Sequence, residues 1–160
     1  MIAVTRNNKY TSELLQLGAS YVVNTSEISL HNAVMEITNG CGVTRAIDSI
    51  GGVDGTELAF CVRPNGNFLT IGLLSGMPVN WKVVTLKAKV NVKLFHLRHW
   101  NQKISVHTWQ ETFQRLMTLI NENKLMLMLK GSQYDLLKIK EVVRFAESSK
   151  RNKGKAFLIN

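Results

Sequence analysis

Short apolar runs and helix-patterned stretches take turns along the first two thirds of this chain, and that alternation narrows the fold more than any other feature. Ile2-Ala3-Val4-Thr5 reads as a short buried strand. A helical stretch from Tyr10 to Leu17 follows, with Gly18 placed as its stop. Tyr21 to Asn24 is a second strand. Leu30, Ala33, Val34 and Ile37 then fall at helical spacing, with Ser29 as N-cap and Gly40 as terminator. Arg45 to Ser49 is a third strand, and Thr56 to Val62 a short helix closed by the turn Arg63-Pro64-Asn65-Gly66. Asn67 to Ile71 is a fourth strand, and the alternating Val90, Val92 and Leu94 mark an edge strand over Val90 to Leu97. Strands separated by helices are joined by right-handed crossovers into a parallel sheet, so a doubly wound α/β architecture is expected.

The last third reads differently. Thr108-Trp109-Gln110-Glu111 has the form of a capping box before an apolar stripe of Phe113, Leu116 and Ile120, giving a helix to about Asn123. Leu125 to Leu129 is strand-like. Ile139, Val142, Val143 and Ala146 line one face of another helix. Ser148 to Lys155 is a basic turn, and Ala156 to Ile159 a final strand. We divide the chain into residues 1–125 and 126–160.

Ligands of such sheets bind outside the carboxyl ends of the strands. The first strand runs straight into Arg6-Asn7-Asn8. Where a dinucleotide lies there, a carboxylate would bond the adenine ribose 2′-hydroxyl and an arginine would accommodate a 2′-phosphate. Glu13 is the only acidic residue among the first 26, so this corner is expected to hold nothing that repels a phosphate.

A composition of 45% apolar and 19% charged residues over 160 residues fits one globular domain with a proper core and not a disordered chain. No apolar run approaches the ~18 residues of a membrane span, and Met1 to Thr5 is too short for a secretory signal, so a cytoplasmic location without membrane contact is expected. Cys41 and Cys61 are too few for a disulfide framework or a metal cluster. The net charge of +9 gathers at Lys82 to Lys93, Arg98-His99 and Lys138 to Lys155. Apart from Phe95 and Trp100, aromatics are not interleaved with these runs, which argues against nucleic acid as the partner.

The standard chemistry-bearing patterns are absent. Gly40-Cys41-Gly42 begins a G-x-G-x-x-G, but Arg45 stands at the third glycine's place; Gly154-Lys155 is followed by Ala156, which breaks a phosphate-loop pattern. His31, His96, His99 and His107 lack ligand spacing. His96 and His99 fall at a strand end, which would put them on opposite faces. No serine sits in a G-x-S-x-G elbow.

Several stretches together resemble the medium-chain dehydrogenase/reductase superfamily. They are Arg6 with Asn7, Leu17-Gly18-Ala19 followed by Val22-Val23-Asn24, Thr38-Asn39-Gly40-Cys41-Gly42, Asp48-Ser49-Ile50-Gly51-Gly52, Gly66 to Gly76, Phe95-His96-Leu97-Arg98, and Gly154-Lys155-Ala156-Phe157-Leu158. The likeness covers essentially the whole chain. Phe95-His96-Leu97 with Trp100 behind it points to the zinc-free 2-enoyl thioester reductases and quinone reductases. The resemblance implies a Rossmann-like cofactor domain for NADP(H). It implies that Arg6, Asn7 and Asn8 hold the ribose phosphate, with Lys9 and Tyr10 as helpers. Ile71-Gly72-Leu73-Leu74 would approach the nicotinamide, the backbone of Phe95, His96 and Leu97 would hold its carboxamide, and Lys155 would reach the cofactor. Asp48 would be structural. No catalytic and no metal-binding residue is implied.

The family's first cofactor-domain strand, its glycine-rich turn and the preceding catalytic domain have no counterpart here, and residues 126–160 are expected to pack on that domain. The pyrophosphate would then lack its main anchor, and the strands beside the gap would carry unpaired backbone groups. The chain is therefore expected to be marginal alone, or to rearrange or associate. The whole oxidoreductase would act on a small molecule, an enoyl thioester, enone or quinone; the chain by itself would be inactive. A homodimer through Val90 to Leu97 is a further expectation. The alternatives are a non-catalytic remnant, a basic RNA-binding module and a fragment of a zinc alcohol dehydrogenase.

Overall fold

The structure, a computed structural model, describes residues 1–126, 131–147 and 155–159. The chain divides into two compact units, Met1–Trp109 and Gln110–Asn160. They meet inside a helix, whereas the sequence reading divides the chain after residue 125.

The first unit is built from β1 (Ile2–Thr5), α1 (Thr11–Gln16), β2 (Tyr21–Asn24), α2 (Leu30–Ile37), β3 (Val43–Asp48), α3 (Gly52–Phe60), β4 (Val62–Thr70), α4 (Trp81–Lys87), β5 (Asn91–Leu94) and α5 (Leu97–Lys103). Every strand pairing is parallel: β1 with β2, β3 with β4, and β4 with β5. The strands form two sheets, β1-β2 and β3-β4-β5, and no described strand lies between β1 and β3. This is the Rossmann-like α/β architecture that the alternation predicts.

Two buried clusters hold the unit together. In one, Ala46, Phe68 and Val62 of the sheet meet Ala59 of α3, Val84 of α4 and Val79. Phe68 is fully buried and takes the edge of Trp81, ring centroids 6.2 Å apart. In the other, Val23 of β2 meets Leu30, Ala33 and Val34 of α2, together with Cys61. Val43 and Leu58 pack against both clusters, so they tie the two sheets to one core. Helix α2 starts where Ser29 accepts the Asn32 amide.

Three expectations need correction. The helix after β3 begins at Gly52, not Thr56; its glycines weaken the helical signal, and packing of Gly55 against Asp48 and Val79 overrides it. Arg63 to Gly66 is not a closing turn but the irregular start of β4. The register against β3 shifts there, and Asn65 takes a φ of 62°. The edge strand ends at Leu94, because Leu97 already opens α5. Helices α4 and α5 themselves go unpredicted, their basic residues masking a weak apolar period.

Helix α6 (Val106–Asn121) starts in the first unit and runs into the second. Ser105, not Thr108, caps it: the Ser105 hydroxyl accepts the Thr108 amide at 3.0 Å. The second unit holds the parallel pair β6 (Gly131–Asp135) and β7 (Lys155–Ile159) around α7 (Ile139–Glu147), with Val142 buried and the Tyr134 and Phe145 rings 6.0 Å apart. Leu125 and Met126 are not in a strand. The rest of that expected strand, and the turn over residues 148–154, lie outside the described residues. Among the described residues no helix is long and apolar enough to cross a membrane.

Candidate functional site

Parallel pairing sends the carboxyl ends of neighbouring strands to one rim, and the loops there make the candidate site. Asp48, the last residue of β3, is buried and organises the first loop: its carboxylate accepts the Ile50 amide at 2.9 Å and the Gly51 amide at 3.1 Å. The chain then turns sharply at Gly51, with φ 73° and ψ −160°. A Cβ there would lie 2.5 Å from the Met77 carbonyl oxygen and 2.7 Å from Leu73 Cδ1, so glycine is required on both counts.

The loop after β4 is laced to this one. Ile71 donates to the Asp48 carbonyl at 2.8 Å, Leu74 to Ser49 at 3.1 Å and Ser75 to Ile50 at 2.9 Å. At Gly72 a Cβ would sit 2.9 Å from the Ser49 carbonyl oxygen. Gly72 thus has a packing reason of its own, the close passage of the two loops. Phe95 joins the same rim by donating to the Thr70 carbonyl at 2.9 Å.

At the end of β1, Arg6 reaches across to α3. Its Nη2 lies 3.1 Å from Asp54 Oδ2, and both side chains stay mostly exposed. The expectation of a corner free of carboxylates is corrected here. Asp54 is 48 residues away in the chain, yet the end of β1 and the first turn of α3 share the rim. Glu27 adds a second carboxylate, accepting from Asn8 Nδ2 at 2.6 Å. Asn7 spends its side chain as the cap of the 3-10 turn Asn8–Tyr10, accepting the Lys9 amide at 3.0 Å. The Lys9 ammonium lies over the Tyr10 ring at 5.1 Å. Of the three expected phosphate ligands, Arg6 alone is cationic, and it keeps the most donors to spare, because a guanidinium carries five N–H groups and Asp54 takes one of them.

Behind this pair lies a cavity of about 760 Å³ between β1 and β3. Arg6 and Asp54 stand among its lining residues, and Leu30, Val34, Leu58 and Cys61 contribute apolar walls. Cys61 is fully buried; desolvation, assisted by the Glu57 carboxylate, pushes its thiol up to about 12. Such a thiol is inert as a nucleophile at neutral pH.

The structure therefore brings Ile71, Gly72, Leu73, Leu74 and Phe95 to one rim, with Arg6 joined to it through Asp54 and the Gly51 loop. His96 and Leu97 sit at the start of α5. The sequence reading put His96 and His99 on opposite faces; instead their rings stack at 4.5 Å, because His96 is the N-cap of α5 and His99 lies in its first turn, where the chain is helical. Lys155 opens β7 in the second unit, and its side chain lies outside the described residues. Asp54 and Ser75 were missed as site residues. The signal that finds them is position, since both follow the end of a parallel strand. Among the described residues no three His, Cys, Asp or Glu side chains converge to hold a metal.

Comparison with known proteins identifies the family and the fold. The family model of the zinc-binding dehydrogenases matches residues 1–122, and the chain belongs to that family. A solved structure from Bacillus thuringiensis, assigned as an NADPH:quinone reductase, superposes with a TM-score of 0.90 and 54% identity, covering 99% of this chain and 48% of that one. The Escherichia coli quinone oxidoreductase, solved with NADPH, shares the fold at a TM-score of 0.79 and 22% identity over 99% of this chain and 49% of its own. The mitochondrial enoyl-[acyl-carrier-protein] reductase of Mus musculus is 28% identical over 118 residues, 73% of this chain and 32% of the mouse protein. The chain thus spans about half the length of the solved structures it matches and aligns with a third of the curated mouse relative.

Proposed function

We propose that this member of the zinc-binding dehydrogenase family supplies the NADP(H)-binding part of a medium-chain oxidoreductase that reduces an enoyl thioester, enone or quinone. One observation carries the reading: Arg6 stands at the carboxyl end of β1 and lines the crevice with donors to spare. A 2′-phosphate on the open edge of that guanidinium would make charge-assisted hydrogen bonds, which a free 2′-hydroxyl cannot match. The names of relatives support the same chemistry, a quinone reductase, a quinone oxidoreductase solved with NADPH and an enoyl reductase.

When bound, the nicotinamide supplies hydride transfer. The work of this chain's residues is to hold and orient. Arg6 fixes the phosphorylated ribose. The interlaced loops at Gly51 and Gly72 form a rigid floor beside Ile71, Leu73 and Leu74, and the backbone of Phe95 to Leu97 borders it. The chain acts here as a cofactor-holding part, inactive alone.

Titration calorimetry with NADPH and NADH, on wild type and Arg6→Ala, tests this. NADPH should bind the more tightly. Arg6→Ala should weaken NADPH about tenfold to a hundredfold, the loss of one charge-assisted interaction of ~1.5–3 kcal/mol, and leave NADH unchanged. Binding of neither nucleotide would favour the non-catalytic reading; salt-steep RNA binding that ignores NADPH would favour the nucleic-acid one.

A further inference from the structure

Charge is segregated along the first unit. From Leu58 to Gln110 the sequence holds Arg63, Lys82, Lys87, Lys89, Lys93, Arg98 and Lys103 and not one Asp or Glu. Three of these cations gather near the amino ends of β4 and β5, away from the carboxyl rim that holds the candidate site. There the Asn65 amide donates to the Lys89 carbonyl at 2.9 Å, and Asn91 Nδ2 donates to the Asn65 carbonyl at 2.9 Å. Arg63 is two residues from Asn65 and Lys87 two from Lys89, so neither backbone stands more than about 7 Å from its end of this clasp. Arg63, Lys87 and Lys89 are all exposed, and among the described residues none of them pairs with a carboxylate.

The clasp is strained. Asn65 and Lys89 take φ values of 62° and 49°, in the left-handed region. Asparagine tolerates that region; lysine pays for it in Cβ contacts. Lys89 directly follows the cap of α4, where glycine is the usual residue. Lys87 already supplies the last turn of α4 with a cation for its dipole. The fold therefore gives no reason for lysine at position 89, and its exposed ammonium does. Two classes of anionic partner fit poorly. Residues 63–67 and 86–92 contain no aromatic side chain on which bases could stack. A bilayer would need a broad apolar face, and in these segments only Leu86 and Val92 are large, apolar and exposed.

We infer that the Asn65–Lys89 clasp is a docking surface for an acidic polypeptide segment, whose carboxylates meet Arg63, Lys87 and Lys89. The complementarity is of charge: three cations stand on two adjoining segments with no carboxylate among them. Carboxylates on alternate residues of an extended chain recur about every 6.6 Å, the same scale as the chain steps that separate these cations from the clasp. The surface is distinct from the cofactor site. Five residues of β4, roughly 16 Å of strand, separate Asn65 from Thr70 at the carboxyl rim, so docking does not depend on NADP(H).

The test uses the whole chain and, as probe, a labelled peptide that alternates Glu and Ser, with oligouridylate and phosphatidylserine vesicles as rivals. At low ionic strength the peptide should bind, and amide shifts should move at residues 63–67 and 86–92 while the loops at Gly51 and Gly72 stay still. Arg63→Glu, Lys87→Glu and Lys89→Glu together should weaken the peptide about tenfold or more. Lys103→Glu, Lys138→Glu and Lys140→Glu together change the net charge equally and should leave it within about twofold. Lys89→Gly, which removes the cation and the left-handed penalty at once, should melt no lower than wild type and bind the peptide about threefold more weakly. No peptide binding, shifts confined to other segments, equal losses in the two triple variants, or undiminished binding by Lys89→Gly would each overturn the proposal. Tighter binding of the RNA or the vesicles, lost in the Arg63, Lys87 and Lys89 variant, would make nucleic acid or lipid the occupant and equally refute it.

Discussion

Asp54→Asn probes the corner on which the cofactor reading turns. The Arg6–Asp54 pair is 3.1 Å long with side chains 69% and 55% exposed, so it contributes at most about 1 kcal/mol to folding. Asp54 also lies in the first turn of α3, where a carboxylate is favoured by a few tenths of a kcal/mol. The substitution should lower the melting point by no more than about 4 °C. Its effect on an anionic ligand is larger in proportion. A phosphate on the free edge of Arg6 would sit roughly 6 Å from the Asp54 carboxylate, two hydrogen-bond lengths away. With a charge near −1.5 and a dielectric near that of water, the repulsion is about 1 kcal/mol. Removing it should tighten 2′,5′-ADP about fivefold to tenfold at low ionic strength and leave 5′-AMP unaffected. The gain should shrink at 0.15 M salt, where the screening length is about 8 Å. Amide chemical shifts followed through titrations of both nucleotides measure it. In the Arg6→Ala background Asp54→Asn should give no gain. Equal tightening of 5′-AMP and 2′,5′-ADP, or weaker binding of the latter, would show that the phosphate does not land on Arg6.

Other outcomes follow from the loops and the core. Gly51→Ala should destabilise the chain by about 2 kcal/mol or more in urea, from backbone strain and from the clash with the Met77 carbonyl. Gly18→Ala, also at positive φ but with nothing within 4 Å of the new methyl, should cost clearly less; equal losses would refute the clash. Cys61 has its thiol raised from 9.0 to about 12. The unfolded chain therefore releases this proton first, and the group's stabilising contribution, complete below pH 9, declines as pH rises toward 12. Wild-type stability should fall by about 1.4 kcal/mol per pH unit more steeply than that of Cys61→Ala in this window. Parallel pH slopes would contradict the burial argument.

Much of the first unit was legible because its elements carry strong local signals. Strands β1 and β2 and helix α2 fall where apolar period, caps and glycine stops place them. Local signals failed where packing overrode them. The two glycines of α3, Gly52 and Gly55, depress helix propensity, yet the helix forms because Gly55 fits against Asp48 and Val79. Pro64 and Asn65 read as a turn, yet they lie in an irregular strand. The candidate site was half visible. Arg6, Asp54 and the loops at Gly51 and Gly72 announce themselves by position after strands, but the pairing of Asp54 with Arg6 does not, since no sequence rule links residues 6 and 54.

The chain's own order of residues determined which segments become strands and helices, that the strands run parallel, and which residues gather at their carboxyl ends; period and connection length act over a few residues and survive without context. Tertiary structure alone decided what those residues meet. It set Asp54 against Arg6, occupied Asn7 and Asn8 locally, stacked His96 on His99, and left β1 and β3 as facing edges around a cavity. Such encounters depend on distances across the fold, and residues far apart in the chain carry no local trace of them.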